Sequence, residues 1–301
     1  MLDNKPKVAV LLATFNGATY VIQQLNSIKR QSHVEVLIVV SDDVSSDQTP
    51  KLLNELSDLD GKLILLPNKK FGSAAANFFR LLRDVDLESF DYVALSDQDD
   101  IWQEDKLSHA VQKIQDVSVD AYSSNVTAFW SNGKEKLIDK AQTQQQFDYM
   151  FESAGPGCTF VITKRVALEL QQFLIANQDK CQQVALHDWF IYAFARSKGF
   201  KWFIDRESHM LYRQHADNVV GANVGLKAKL VRWEKLREGW LIKQALLIAD
   251  ILGYANTWPV NKLKRYSLLD RLVLIVNIRK LRRRLRDRVA LALFLLLPLR
   301  K

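Results

Sequence analysis

Four times within the first 117 residues a short apolar run gives way to a polar turn and then to a helical pattern. Lys7-Val8-Ala9-Val10-Leu11-Leu12-Ala13 is a nearly unbroken apolar strand that stops at Thr14-Phe15-Asn16-Gly17, after which Tyr20, Val21, Leu25 and Ile28 share one helical face. Val34 to Val40 forms a second strand ending in Ser41-Asp42-Asp43, and Ser45-Ser46-Asp47 opens the next helix as its N-cap region. Leu63 to Leu66 leads through Pro67-Asn68 and Phe71-Gly72-Ser73 into a helix from Ala74 to Leu82. The fourth run, Tyr92-Val93-Ala94-Leu95, passes through Ser96 into Asp97-Gln98-Asp99-Asp100, with a helix expected from Trp102 to Val117. Alternation of this kind predicts an α/β sheet, and ligands of such sheets lie outside the carboxyl ends of the strands. Thr14, Asp42, Asp43, Asp97 and Asp99 are therefore expected to converge on one crevice. Further on, Gln183 to Ala195 reads as a hydrophobic helix interrupted only by His187-Asp188, and Met210 to His215 as a short strand before the polar loop Ala216 to Gly221.

With 301 residues, 48% of them hydrophobic, the chain can bury a substantial core in one large α/β domain plus a helical appendage. No repeat or Gly/Ser linker divides it. Met1 to Lys7 is too short and polar for a signal peptide, and Cys158 and Cys181 are the only cysteines, so neither a disulfide framework nor a zinc site is suggested and the cytoplasm is the expected compartment. The net charge of +8 is unevenly placed: residues 261–301 hold 13 Lys and Arg against two Asp, leaving 29 basic and 32 acidic residues in 1–260. Within this tail Val289 to Leu299 is almost wholly apolar yet far shorter than the roughly 20 residues that span a bilayer. A basic helix with an apolar end predicts an interfacial anchor on anionic lipid. Arg279, Lys280, Arg282, Arg283, Arg284, Arg286 and Arg288 would face the headgroups, and Leu291, Leu293, Phe294, Leu295, Leu296 and Leu297 would enter them. Packing on the catalytic domain or on a second copy of the chain is the alternative. Nucleic acid fits poorly, because no aromatics are interleaved with the arginines and the rest of the chain is acidic.

The acidic turn after the fourth strand carries the most chemistry. Carboxylates this crowded raise one another's pKa unless a cation sits among them, and hard oxygen ligands suit Mg²⁺ or Mn²⁺, with a diphosphate as the natural partner. Capping of the following helix is the plainer alternative. Neither G-x-G-x-x-G nor G-x-x-x-x-G-K-[ST] follows any strand, so phosphate charge must be met by metal and basic side chains. Arg213 is a candidate for the latter. Trp102 and Trp189 offer flat faces for a sugar, though core packing explains helix tryptophans equally well.

The segments VLLATFNGATY, IVVSDDVSSDQT, FGSAAANFF and VALSDQDDIWQEDKL resemble, in order, the successive motifs of family 2 glycosyltransferases, inverting enzymes with the GT-A fold. GPGCTFVITKRV, LHDWFIYAFA and MLYRQHADNVVGA are similar to the acceptor-side motifs of the bacterial rhamnosyltransferase branch, while no motif covers the chain beyond about residue 225. The resemblance implies that Thr14 and Asn16 contact the nucleotide and that Asp42 or Asp43 meets base or ribose. Asp97 and Asp99 become a DxD pair, with Asp99 on the metal and Asp97 on ribose or a metal-bound water. His215 becomes a third metal ligand, and Asp188 the base that deprotonates the acceptor hydroxyl. Val44 departs from the glycine common there in the family, so that turn is expected to be less free to adopt positive φ.

The resulting expectation is a GT-A mixed α/β sheet flanked by helices over residues 1–224, with 1–117 as the nucleotide-sugar and metal half and 118–224 as the acceptor half. Residues 225–301 form a basic helical extension. The expected activity is metal-dependent, inverting transfer of a sugar from a nucleotide donor, dTDP-L-rhamnose, to a hydroxyl of a growing lipid-linked glycan. A UDP-hexose donor, or a non-catalytic nucleotide-sugar-binding protein, is the alternative. The expected setting is the inner face of a bacterial cell membrane, with anionic lipid and a homo-oligomer through the C-terminal helices as further partners.

Overall fold

The computed structural model describes residues 5–59, 61–215 and 239–297. The polar loop expected at 216–221 lies outside them. The four anticipated strands are β1 (Lys7–Thr14), β2 (Glu35–Asp42), β3 (Leu63–Leu65) and β4 (Tyr92–Ser96), connected by α1 (Val21–Lys29), α2 (Thr49–Leu59) and α3 (Ala74–Asp84). All four run parallel, with β1 between β2 and β4 and β3 outside β2. Their near-continuous Val/Ile/Leu content follows from being covered on both faces. Along β1 the faces alternate: Val8, Val10 and Leu12 join the apolar cluster with α1 and the start of α2, and Ala9, Leu11 and Ala13 join the one with α3.

The acidic turn is followed by a two-residue strand, β5 (Ile101–Trp102), before α4 (Lys106–Asp116). Trp102 therefore belongs to a strand and not to the helix expected there, because it pairs with Met210 across an antiparallel ladder. Next come β6 (Ala121–Ser124), β7 (Val126–Phe129), β8 (Glu135–Ile138), β9 (Val161–Thr163), α5 (Lys164–Ala176), α6 (Gln178–Cys181), α7 (His187–Ser197), β10 (Trp202–Asp205) and β11 (Met210–Arg213). The large sheet has the order β10-β6-β9-β4-β1-β2-β3, in which β9 alone is antiparallel to its neighbours. A smaller sheet, β5-β11-β7-β8, stands beside the acidic turn.

The C-terminal helices Trp240–Ile251, Trp258–Arg265, Leu268–Val276, Ile278–Leu281 and Leu285–Leu296 form a layer over the α3/α7 face. Ile242, Ile248, Val260, Leu263, Leu274 and Leu281 are buried in that core. This packing corrects the expected lipid-facing set. Leu291, Phe294 and Leu295 are buried against the protein, and Arg283, 4% exposed, lies 3.6 Å from Glu152 and 3.7 Å from Asp148. Its backbone N–H also donates to Glu152 Oε1 at 2.7 Å. Of that set Leu293 and Leu296 are turned to solvent, beside Leu285 and Val289 on the same helix and Leu268, Leu269, Leu272, Val273 and Val276 on its neighbour. At these spacings each set makes one helical face.

Candidate active site

The carboxyl ends of β1, β2 and β4 form a crevice whose floor is a hydrogen-bonded lattice of the residues expected to meet a nucleotide. Thr14 Oγ1 donates to Asp42 Oδ1 at 2.8 Å, and Ser45 donates to the two oxygens of the same carboxylate from its N–H (2.7 Å) and its hydroxyl (2.6 Å). Asn16 Oδ1 accepts from the Ser46 N–H at 2.8 Å, tying the loop after β1 to the loop after β2. Asp43 accepts from the N–H groups of Phe71 and Gly72, the latter at 2.8 Å, and so holds the loop after β3. Asp42 and Asp43 are thus both buried and both engaged by the protein. Gln98, inside the acidic turn, closes a two-way bond with the Phe15 backbone, accepting at 2.8 Å and donating at 2.9 Å. A Cβ at Gly17 would lie 2.1 Å from Gln98 Oε1, so a side chain there would displace the Gln98 amide from the Phe15 backbone.

Val44 has φ of 58°, the left-handed region that a β-branched residue avoids. The turn after the paired acids adopts positive φ even without the glycine, and the strain is stored beside Asp42 and Asp43. Val44→Gly is therefore expected to stabilise the protein by about 1 kcal/mol, seen as a higher urea midpoint at unchanged slope. A lower midpoint would show that the Val44 side chain compensates elsewhere.

At the end of β4 three carboxylates take different surroundings. Asp99 Oδ2 lies 2.7 Å from His215 Nε2, and the Asp99 carbonyl accepts from Arg213 Nε at 2.8 Å. The Arg213 guanidinium also stacks over Tyr20 and Phe129 and donates to Gln23. Asp97 is pushed up to about 7 by burial, with the charges of Asp99 and Asp188 adding to the shift. Asp100 is turned inward at 1% exposure, and its Oδ2 has no hydrogen-bond partner. Burial and then the charges of Asp99 and Asp97 hold it well above the usual carboxylate range. Ligand atoms of Asp97, Asp100 and the buried Cys158 thiol lie within 4.8 Å of one another. An orphaned buried oxygen on Asp100, with Asp97 and Asp100 both raised by burial and by neighbouring carboxylates, is a donor set short of a cation, so the residues present fit a divalent metal.

Asp188 is in the first turn of α7, where its Oδ1 accepts from the Trp189 N–H at 2.7 Å. Burial raises it to about 6 against the lowering effects of that N–H, of the nearby Lys140 and of Ser153. Its neighbour His187 is driven down to about 3 by burial and stacks on Phe78 at 4.0 Å, and so is a neutral ring that carries no charge to share with Asp188. Gly157, on the turn holding Cys158, leaves the space for that ring: a Cβ there would lie 2.4 Å from His187 Nε2.

Among the expected residues, hydrogen bonds join Thr14 to Asp42, Asn16 to the loop after β2, and Asp99 to Arg213 and His215, while Asp97 lies near enough to Asp99 and Asp188 for their charges to raise it. The two tryptophans are buried. Trp102 is 2% exposed, with Lys106 Nζ 3.5 Å from its ring centroid, and Trp189 is 3% exposed, with Nε1 donating to the Tyr149 carbonyl at 2.8 Å. Both are enclosed by core contacts and present no face to a sugar, which corrects that expectation. Gln98, Asp100, Cys158 and Lys140 stand beside the expected residues; Gln98 and Asp100 belong to the acidic run and Cys158 to the GPGCTF segment, whereas no pattern in the sequence marks Lys140.

Residues 9–170 match the family described as Glycosyl transferase family 2. The chain is 44% identical over 288 residues to the dTDP-rhamnosyl transferase RfbG of Shigella flexneri, covering 95% of this chain and 99% of that protein. Its fold is similar to that of S. aureus TarS 1-349 in complex with UDP, with a TM-score of 0.54 and 15% identity over 96% of this chain and 88% of the other. It is likewise similar to mannosyltransferase PcManGT from Pyrobaculum calidifontis in complex with GDP-Man and Mn²⁺, with a TM-score of 0.53 and 16% identity over 97% and 85% of the two chains.

Proposed function

Because this chain belongs to glycosyl transferase family 2, we propose that its crevice transfers rhamnose from dTDP-L-rhamnose, with inversion, to a hydroxyl of a lipid-linked glycan. The donor reading is supported by the near full-length similarity to a dTDP-rhamnosyl transferase. The observation that carries the chemistry is that Asp97 feels both Asp99 and Asp188, so the carboxylates of the donor side and the prospective base share one space.

In this reading the acceptor oxygen attacks the anomeric carbon, its proton passes to Asp188, and the bond to the diphosphate breaks with the electron pair leaving on phosphate oxygen. Asp97, Asp99 and His215 would hold Mg²⁺ or Mn²⁺, with Asp100 beside them. When bound, that ion neutralises charge developing on the leaving diphosphate. Thr14, Asn16 and the loops braced by Asp42 and Asp43 shape the nucleotide end. Arg213, anchored on the Asp99 carbonyl, adds positive charge near the phosphates. A panel of nucleotide sugars assayed for metal-dependent diphosphate release tests the proposal. Turnover of dTDP-L-rhamnose is expected; preferential turnover of a UDP-hexose replaces the donor, and binding without turnover of any donor overturns catalysis.

The extension is proposed to rest on an anionic membrane surface through the apolar faces of Leu268–Val276 and Leu285–Leu296, flanked by the exposed Arg279, Lys280 and Arg286. No helix among the described residues is long and apolar enough to cross a membrane. Leu269→Glu with Leu293→Glu changes residues 75% and 60% exposed, so folding is spared. Affinity for anionic vesicles is expected to fall at least about tenfold, since removing two apolar contacts forfeits more than ~1.4 kcal/mol, while turnover on a soluble acceptor persists. Loss of self-association with unchanged vesicle affinity would identify the face as a subunit contact.

A further inference from the structure

A second group of potential ligands lies outside the acidic crevice, where α4 meets the turn between β10 and β11. His109 projects from α4, and Glu207 and His209 from that turn; one ligand atom from each lies within 4.8 Å of the others. The imidazole rings stack, with centroids 3.9 Å apart and planes at 29°. Each is held through one nitrogen by a carboxylate: His109 Nε2 is 2.9 Å from Asp205 Oδ2, and His209 Nδ1 is 3.1 Å from Asp105 Oδ1. The Tyr122 hydroxyl donates to the same Asp205 oxygen at 3.3 Å. That leaves Nδ1 of His109 and Nε2 of His209. The latter is buried without a hydrogen-bond partner and stands 3.5 Å from Glu207 Oε2.

A buried ring nitrogen left unmet costs about 1–3 kcal/mol, and a carboxylate behind an imidazole is the arrangement that fixes the tautomer and raises the basicity of metal-bound histidines. Here that arrangement occurs twice around one space, with a third carboxylate at its mouth. We propose that His109, Glu207 and His209 form a second metal site that takes Zn²⁺ or a similar borderline-soft divalent ion, with a fourth position open to solvent. Two nitrogens and one carboxylate suit such an ion, whereas Mg²⁺ prefers oxygen donors throughout. Bonds of ~2.0–2.2 Å require the three groups to draw closer. Glu207, 58% exposed with Lys113 Nζ at 3.9 Å as its other contact, can move in, and the His209 ring must also turn out of the stack so that its in-plane lone pair meets that of His109; Asp105, its 57% exposed Nδ1 partner, can follow that turn.

The position gives the site a purpose. α4 follows the acidic turn, and β11 follows the His209 turn, with Met210 paired to Trp102 and the Gln103 N–H donating to the His209 carbonyl at 3.0 Å. β11 carries Arg213 and leads to His215. An ion bound between His109 and His209 would lock the strand that delivers those two residues onto the helix that follows Asp97–Asp100, acting as a positioning clamp.

Untagged protein carrying Asp99→Ala, to weaken the acidic crevice, is stripped with chelator and titrated with Co²⁺. One equivalent is expected to bind with visible d–d absorption, to be displaced by Zn²⁺, and to be lost in the added His209→Gln variant. Glu207→Gln is expected to weaken it at least tenfold. Zn²⁺ should raise Tm in the Asp99→Ala protein and leave the Asp99→Ala/His209→Gln protein unmoved. Absence of Co²⁺ binding in Asp99→Ala, or unchanged affinity in His209→Gln, overturns the site and leaves a hydrogen-bonded histidine pair. Should His209→Gln fail to fold, unchanged affinity in Glu207→Gln, altered at an exposed position, overturns it alone.

Discussion

Asp188→Asn is expected to bind donor and metal as the parent does while transferring sugar ~10² to 10⁴ times more slowly, the range a positioned base contributes. The amide keeps the shape of the side chain and its place in the first turn of α7, but it accepts no proton. Asp188 sits at about 6 because burial outweighs the Trp189 N–H and Lys140. As a base it works only when ionised, so the parent's rate should fall as pH drops through about 6 and level off above it. The residual rate of Asp188→Asn should lack that acid limb. Calorimetry with donor separates the alternatives: if binding disappears together with transfer, Asp188 supports structure and the base lies elsewhere.

Asp99→Ala is expected to lose turnover and most of its metal affinity, since the ion loses a ligand and His215 loses the partner 2.7 Å away. A bound ion supplies several kcal/mol of transition-state stabilisation, which at ~1.4 kcal/mol per decade is on the order of 10³-fold in rate. His215→Ala should lose less. Mn²⁺ titration followed by electron paramagnetic resonance measures the affinities, and full activity of Asp99→Ala in excess EDTA would sink the assignment. A thermal readout accompanies it. Asp97 and Asp188 titrate near 7 and 6 when folded against 3.8 ordinarily, so without metal they favour the folded state below 3.8 and that stability is lost as pH rises through 6 and 7. Divalent metal, which favours the ionised forms, should therefore raise Tm more at pH 7.5 than at pH 5.5.

The parallel half of the sheet was legible because its strands are apolar runs covered on both faces, each ending at a polar turn. Of the smaller sheet, β11 was legible as the short strand Met210 to His215, and its partners were not. β5 has two residues and β11 four, and only their pairing makes Trp102 a strand residue and buries its ring. Asp188 announced itself as a charged interruption in an apolar helix. The inward turn of Asp100 did not, because it depends on Cys158 arriving from a loop almost sixty residues later. The basic tail was plain as composition, yet Arg283 is buried by Asp148 and Glu152, partners more than 130 residues upstream that no local pattern connects to it.

The antiparallel strand of the large sheet, β9, has a consequence for how the chain is made. β4 pairs with β1 on one side and with β9 on the other. A nascent chain that has released β1 to β4 from the ribosome therefore shows an open, apolar edge at Tyr92–Leu95 until residue 163 emerges. At ~5–20 residues per second that interval lasts several seconds, long enough for an unpaired edge to find another chain. The acidic turn at the end of β4 is thus synthesised early but shielded late, and the yield of folded enzyme during rapid expression depends on what covers that edge in the meantime.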